Sequence, residues 1–371
     1  MGALKEKVDH YFTSKNIKPT GNYKIYIKAI ILLSLAFSFY TILVFFTPSV
    51  GLSLFICALL GGSLAGIGFN VMHDSGHGSF SKRKWVNNTM VYSLNIMGAS
   101  SYLWKIKHNI NHHTYTNVQG MDDDIDIEPW IRTNQNQPKF WYHRFQHVYW
   151  ALLYTTTYLF WVFYQDFDKY FRLKVANSSI KKFIVREHII FWATKILYVV
   201  AFIILPIFKV GLIDTIIGYS LIAVVTGFII SIVFQLAHVV EGAHFPEVSN
   251  DANQIEEEWA VHQIKTTANF STKSKIVSWF TGGLNFQIEH HLFPKISHIH
   301  YPQKDNMIDK VKKNRQAKGE KHGQHKLTEM QAIEIKFSAK SPIELSKEFD
   351  CSITAIRQIK SGLNWKHLEK V

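Results

Sequence analysis

Apolar positions in this chain gather into long blocks separated by polar stretches, not into the short alternating runs of a half-buried sheet. Four blocks come close to the ~20 residues a helix needs to cross a bilayer. They run roughly Tyr26–Phe46, Leu52–Met72, Ile189–Phe208 and Leu212–Gln235. Thr47-Pro48-Ser49 joins the first two, and Lys209-Val210-Gly211 joins the last two. Links this short predict two helical hairpins. Lys195 falls inside the third block, where a charge is costly. Its long stem is expected to carry the ammonium to the interface. A fifth apolar stretch, Val148–Tyr164, is dense in aromatics and threonines. It reads as a helix lying in the interface, with Trp150, Tyr154, Tyr158, Trp161 and Tyr164 as an aromatic belt. The pattern predicts an all-α membrane protein with four transmembrane helices.

Charge gives that protein an orientation. The hairpin links carry only Lys209, whereas the N-terminal segment, residues 74–188 and everything after His238 are rich in Lys and Arg. The positive-inside rule places those three segments in the cytoplasm. The expected location is a bacterial inner membrane or, in a eukaryote, the endoplasmic reticulum. Met1–Asn22 is polar, so no cleavable signal peptide is expected. Composition agrees: 47% of the 371 residues are hydrophobic and 14% aromatic. The net charge is +13. Cys57 and Cys351 are the only cysteines, too few for a disulfide framework.

The candidate chemistry lies in histidines at the borders of the apolar blocks. They read His73-Asp-Ser-Gly-His77, His108-Asn-Ile-Asn-His112-His113, a lone His238, and Gln287-Ile-Glu-His290-His291. Residues i and i+3 or i+4 share a helical face, so each cluster aims two nitrogens at one point. His113 turns about a quarter-circle from His112, toward a second metal. A set rich in imidazole and poor in carboxylate suits iron, zinc or copper, not magnesium or calcium. Nine candidates exceed one tetrahedral zinc and suit a pair of ions. Carboxylates commonly hold the outer N–H of a ligating histidine. Asp74, and Asp122 to Asp126 (Asp122, Asp123, Asp124 and Asp126), stand near enough in sequence for that role. Trp130 and Arg132 follow and are candidates for lining the site or meeting the polar end of a substrate. His298 and His300 are expected at the interface or behind the ligands, and His244 and His262 on the surface.

These clusters resemble the HxxxH, HxxxHH and HxxHH boxes of the membrane fatty-acid desaturase family. Glutamine at the first position of the third box, Gln287-Ile-Glu-His290-His291-Leu-Phe-Pro, is similar to the front-end branch of Δ5, Δ6 and sphingolipid Δ8 enzymes. The stretch from Val71 to Arg132 reads the same way. The resemblance covers roughly residues 20 to 302. It implies four transmembrane helices under a cytosolic helical cap holding a non-haem di-iron centre. It implies O2 and two electrons used to set a cis double bond into a fatty-acyl chain, with O2 reduced to water. Carried over motif by motif, the catalytic iron ligands are His73, His77, His108, His112, His113, His238, His290 and His291, with Gln287 at the ninth position. The substrate is a CoA ester or an acyl-lipid, and the new bond lies on the carboxyl side of an existing one. The His-Pro-Gly-Gly motif of a fused cytochrome b5 is not in this sequence, so electrons are expected from a separate ferredoxin or cytochrome b5. A hydroxylase on the same di-iron scaffold is the alternative enzyme.

Composition changes after Tyr301-Pro302. From Gln303 to Val371 there are 15 Lys+Arg against 9 Asp+Glu, +6 of the total +13. The expected division is 1–302 for the desaturase domain, 303–326 for a linker and 327–371 for a helical tail. Thr328 is the expected cap of the helix that follows it. Ser341-Pro342-Ile343-Glu344 is a capping box with proline at the first helical position. Asp350-Cys351-Ser352 turns into Ile353–Lys360, and Gly362 is expected to end that helix. Leu345, Phe349, Ile356, Ile359 and Trp365 form the expected core. The tail resembles the small helix-turn-helix modules at the ends of phage and homing endonucleases. That resemblance makes Arg357, Gln358 and Lys360 candidate DNA contacts. A membrane-tethered DNA-binding protein with a vestigial metal site is the alternative outside enzymology.

Overall fold

The structure is a computed structural model; it describes residues 2–301, apart from 126, 128, 177, 181–182 and 247–257, together with 327–361 and 365. The chain divides into two compact units, Met1–Pro302 and Gln303–Val371. The expected linker, 303–326, and Gly362, expected to end the last helix, lie outside the described residues.

The first unit holds four helices long and apolar enough to cross a membrane: α1 (Tyr23–Phe46), α2 (Val50–His77), α5 (Val185–Val210) and α6 (Leu212–His238). The intervening chain supplies α3 (residues 101–112) and α4 (residues 146–172). Asn22 starts α1 by accepting a hydrogen bond from the Lys24 amide. The left-handed backbone of Thr47 closes it before Pro48. Gly211 alone, at φ +92°, separates α5 from α6. Phe37, Phe46 and Phe208 lie largely exposed on the outer faces. Water would penalise so much apolar surface, whereas lipid does not.

Helix α6 is gripped from two sides through small residues. A Cβ on Gly61 of α2 would stand 2.8 Å from the Ile222 carbonyl oxygen. A Cβ on Gly227 of α6 would stand 2.9 Å from the Thr155 carbonyl oxygen of α4. Close backbone approach of this kind replaces the hydrophobic force that lipid removes.

Two expectations are corrected here. The aromatics expected as a belt in Val148–Tyr164 do not all face outward: Tyr164 is exposed, but Tyr154 and Tyr158 are buried where residues 146–172 pack as one long helix on α6, and Trp150 stacks on Phe228. Lys195 does not reach the interface. Its ammonium is buried, 2.9 Å from Asp166 and 2.6 Å from each of the Gly98 and Val162 carbonyl oxygens. Asp166 gives Lys195 a counter-charge on a neighbouring helix, which stem length alone could not reveal.

In the first unit, α7 (Trp259–Lys265) and α8 (Gln287–Leu292) complete the surroundings of the histidines. The second unit has α9 (Glu329–Phe337), α10 (Pro342–Glu348) and α11 (Ile353–Lys360). Thr328 and Ser341 cap α9 and α10 in reciprocal capping boxes, and Ser352 caps α11. Leu327, Ile335, Leu345, Ile356 and Ile359 form its core, with Phe349, Cys351 and Trp365 packed against it.

Candidate metal centre

Helix α2 delivers the first two histidines. It contains a π-helical turn over Gly68–Met72, immediately before His73. Such turns reset which side chains share a face and frequently mark functional sites. Asn70 anchors that turn, its amide donating to the Gly66 and Phe280 carbonyl oxygens at 2.8 Å each. Gly78, at φ +75°, ends the helix just after His77. Residues Lys105–His112 of α3 are also π-helical, and the His108 and His112 rings stack at 5.0 Å. His238 is the last residue of α6, and α8 contributes Gln287, His290 and His291.

All nine side chains converge. Ring nitrogens of His73, His77, His108 and His290 lie within 4.8 Å of one another, as do those of His112, His238 and His291. His113, with His290 and His291, forms a third such group that bridges the two. His73 Nε2 is 3.2 Å from His108 Nε2, and His113 Nε2 is 3.1 Å from His290 Nε2. Gln287 Nε2 stands 2.8 Å from His238 Nε2.

The donor set fits metal ions. His77 Nε2, His112 Nε2 and His291 Nε2 are buried with no hydrogen-bond partner. A buried lone pair left alone is costly, and a bound cation would satisfy it. Three of the outer nitrogens, in contrast, are held. His112 Nδ1 lies 2.9 Å from Asp122, His108 Nδ1 3.1 Å from Asp124, and His291 Nδ1 2.7 Å from Gln263 Oε1. A carboxylate or amide oxygen only accepts, so each of these Nδ1 atoms carries the proton and each Nε2 presents its lone pair. Asp122 is fixed in turn by the amides of Asn117 (2.9 Å) and Asp124 (3.0 Å).

Electrostatics favours neutral ligands. Burial, reinforced by neighbouring imidazoles, holds His113, His290 and His291 well below the ordinary histidine pKa. Burial also lowers His108, against the opposing pull of Asp124. Burial lowers His112 as well, but the Asp122 and Asp124 carboxylates together outweigh it and shift that histidine upward. Lys107, 2.7 Å from Asp124, balances that carboxylate's charge.

Several side chains stand elsewhere than expected. Asp74 does not bond a ring of the cluster. It accepts from Ser297 Oγ at 2.7 Å and pairs with His298 Nδ1 at 3.0 Å, while His298 Nε2 meets Lys28 Nζ at 3.1 Å. Asp123 accepts from the Ala176 amide and pairs with Lys169. Asp126 lies outside the described residues. Arg132 is engaged by its own loop, at the Gln137 and Gln135 carbonyl oxygens, and Trp130 is exposed. His244 is exposed as expected, but His262 is buried. Gln263 went unforeseen, because no spacing ties it to a histidine; proximity to His291 arises only when α7 packs on α8.

Comparison with known proteins decides the family. The fatty acid desaturase family model matches residues 49–317. The chain belongs to the fatty acid desaturase family. It is similar to the sn-1 linoleoyl-lipid 6-desaturase of Arthrospira platensis, at 36% identity over 302 residues, covering 81% of each chain. It is similar to the enzyme of the same name from Synechocystis sp., at 34% identity over 83% of this chain and 86% of that one. It is also 35% identical to an acyl-lipid (8-3)-desaturase of Physcomitrium patens, over 83% of this chain and 65% of that protein. The chain is thus a fatty-acyl desaturase, an enzyme of lipid metabolism, of the front-end type. Neither the hydroxylase nor the DNA-binding alternative is favoured by these relatives.

Proposed function

We propose that this desaturase sets a cis double bond between an existing double bond and the carboxyl end of a membrane fatty-acyl chain. His73, His77, His108, His112, His113, His238, His290 and His291 hold two non-haem irons, with Gln287 beside His238. The convergence of nine donors, three of them orphaned lone pairs, carries this reading. When bound, such an iron pair supplies the reaction of O2 and two electrons that removes two hydrogens from the acyl chain.

The protein's own part is positional. Asp122, Asp124 and Gln263 keep the tautomers of His112, His108 and His291, so the lone pairs need no reorganisation. Trp104, stacked on His108 at 4.6 Å, and Phe234, 5.3 Å from His112, help wall the cluster off from water. Four crossings by α1, α2, α5 and α6 put the histidines on the cytoplasmic side, where the Lys and Arg excess lies. A separate ferredoxin or cytochrome b5 would reach them there. The acyl carrier is a lipid or a CoA ester.

Expression in a host lacking desaturases, with linoleate supplied, tests the reading. Mass spectrometry of the lipids should locate a new bond on the carboxyl side of the existing ones. A methyl-side bond, or an alcohol, would overturn it.

The C-terminal unit supports a helix-turn-helix reading of shape more than of function. Asp350, at φ +48°, makes the tight turn between α10 and α11. Residues 327–361 carry five basic and five acidic side chains, so this part is charge-balanced. Lys360 donates to the Lys340 carbonyl at 2.7 Å, which leaves exposed Arg357, with Gln358, as the proposed DNA contact. Salt-sensitive DNA binding by the full chain that Arg357→Ala weakens would support that contact; indifference to the substitution would remove it.

A further inference from the structure

Beside the histidine cluster lies a cavity of ≈ 370 Å³ with a basic wall. Lys82, Lys84 and Lys105 line it together with Thr20, Ser75 and His77, and no carboxylate is among its lining residues. That volume falls within the roughly 300–1,000 Å³ of small-molecule sites. The hydroxyls of Thr20 and Ser75 are buried in this wall without a hydrogen-bond partner. Lys105 is half-buried, and burial lowers its pKa. Three lysines lining one concavity, with no carboxylate beside them there, are a recognition set for an anion with several acceptor oxygens.

Position narrows the anion. Thr20 precedes the start of α1, and His77 is the last residue of α2, so the cavity sits where two apolar helices meet the polar border. Lipid head groups occupy that level of a bilayer. His77 belongs at once to this wall and to the histidine cluster. In a front-end reaction only a few carbons separate the reacting position from the acyl carbonyl. The head group must then lie close beside the metal-binding histidines. We propose that this cavity binds the phosphate of the acyl donor's head group, making the enzyme selective for phosphate-bearing carriers. This inference rests on the front-end reading above.

The test compares full-length wild type with the Lys82→Gln/Lys84→Gln variant on three linoleoyl donors: phosphatidylglycerol, monogalactosyldiacylglycerol and CoA. Loss of one or two charge-assisted contacts should lower kcat/KM for phosphatidylglycerol about tenfold relative to the uncharged galactolipid, mainly through KM. A matching loss on linoleoyl-CoA but not on phosphatidylglycerol would make the phosphate source CoA. Binding is read separately. Glycerol 3-phosphate, and not glycerol, should slow acetylation of Lys82 and Lys84 in the wild-type enzyme, followed by mass spectrometry. Equal losses on all three donors, or no protection of the lysines, would overturn the proposal. A defect confined to the rate of reduction by ferredoxin would instead make the basic wall a dock for an acidic electron donor. Product analysis of the wild type judges the front-end reading by itself: a methyl-side bond sinks that reading, whereas the lysine protection result stands apart from it.

Discussion

Asp122 holds His112 Nδ1 at 2.9 Å, and both side chains are sealed from solvent. Because the carboxylate only accepts, it fixes the imidazole tautomer and leaves Nε2 to face the cluster. Replacing it with Leu should cost roughly 10–100-fold in metal affinity. Iron retained after dialysis against a graded chelator series checks this. Unaltered retention would mean that His112 is oriented by its packing alone.

Gln263 plays the same part for His291 by way of an amide oxygen, and Thr116 Oγ1 stands 3.0 Å from that oxygen. Gln263→Glu keeps an acceptor there and should retain iron. Gln263→Leu removes it and should lose iron, again by about tenfold or more. The comparison of the two variants by metal analysis separates an acceptor requirement from a packing requirement. Equal loss in both would point to packing.

The buried pair of Lys195 and Asp166 joins α5 to α4. Removing the lysine strands a carboxylate, at a cost of roughly 3–5 kcal/mol. Lys195→Met should therefore lower the unfolding midpoint in detergent sharply. The double variant Lys195→Met/Asp166→Leu should recover much of it, because no isolated charge remains. A double variant worse than the single one would show that the backbone contacts, from Lys195 to the Gly98 and Val162 carbonyl oxygens and from the Ser100 amide to Asp166, matter more than charge.

The long apolar blocks and the histidine spacings were legible in the sequence, because a membrane helix and an i, i+4 pair are both local patterns. Helix ends were less so: the apolar block stops at Met72, whereas α2 runs on through the polar residues His73–His77. What stayed hidden depends on contacts across the fold. Asp166 answers Lys195 from 29 residues away, and Gln263 answers His291 from 28. Asp74 sits inside the first histidine box yet bonds Ser297 and His298, more than 220 residues on. Aromatics in Val148–Tyr164 looked like an interfacial belt, since nothing in their spacing shows that Gly227 leaves room for this helix on α6. In the tail, by contrast, capping boxes and apolar spacing are local, and the caps and the core agree with the structure.

That local consistency predicts some independent order in the tail. A peptide of residues 327–371 is small enough for marginal stability, so partial helicity by circular dichroism is expected. Leu345→Asp should abolish it, since Leu345 is fully buried in the small core. A coil spectrum for the unsubstituted peptide would show that the tail depends on the rest of the chain.

Metal content tests the central claim most directly. Purified full-length enzyme should carry about two irons per chain, because nine converging donors exceed the needs of one ion. His112→Ala should fall well below that value while remaining in the membrane fraction, and His244→Ala should match wild type. One zinc per chain with no iron, or full iron in His112→Ala, would contradict the account.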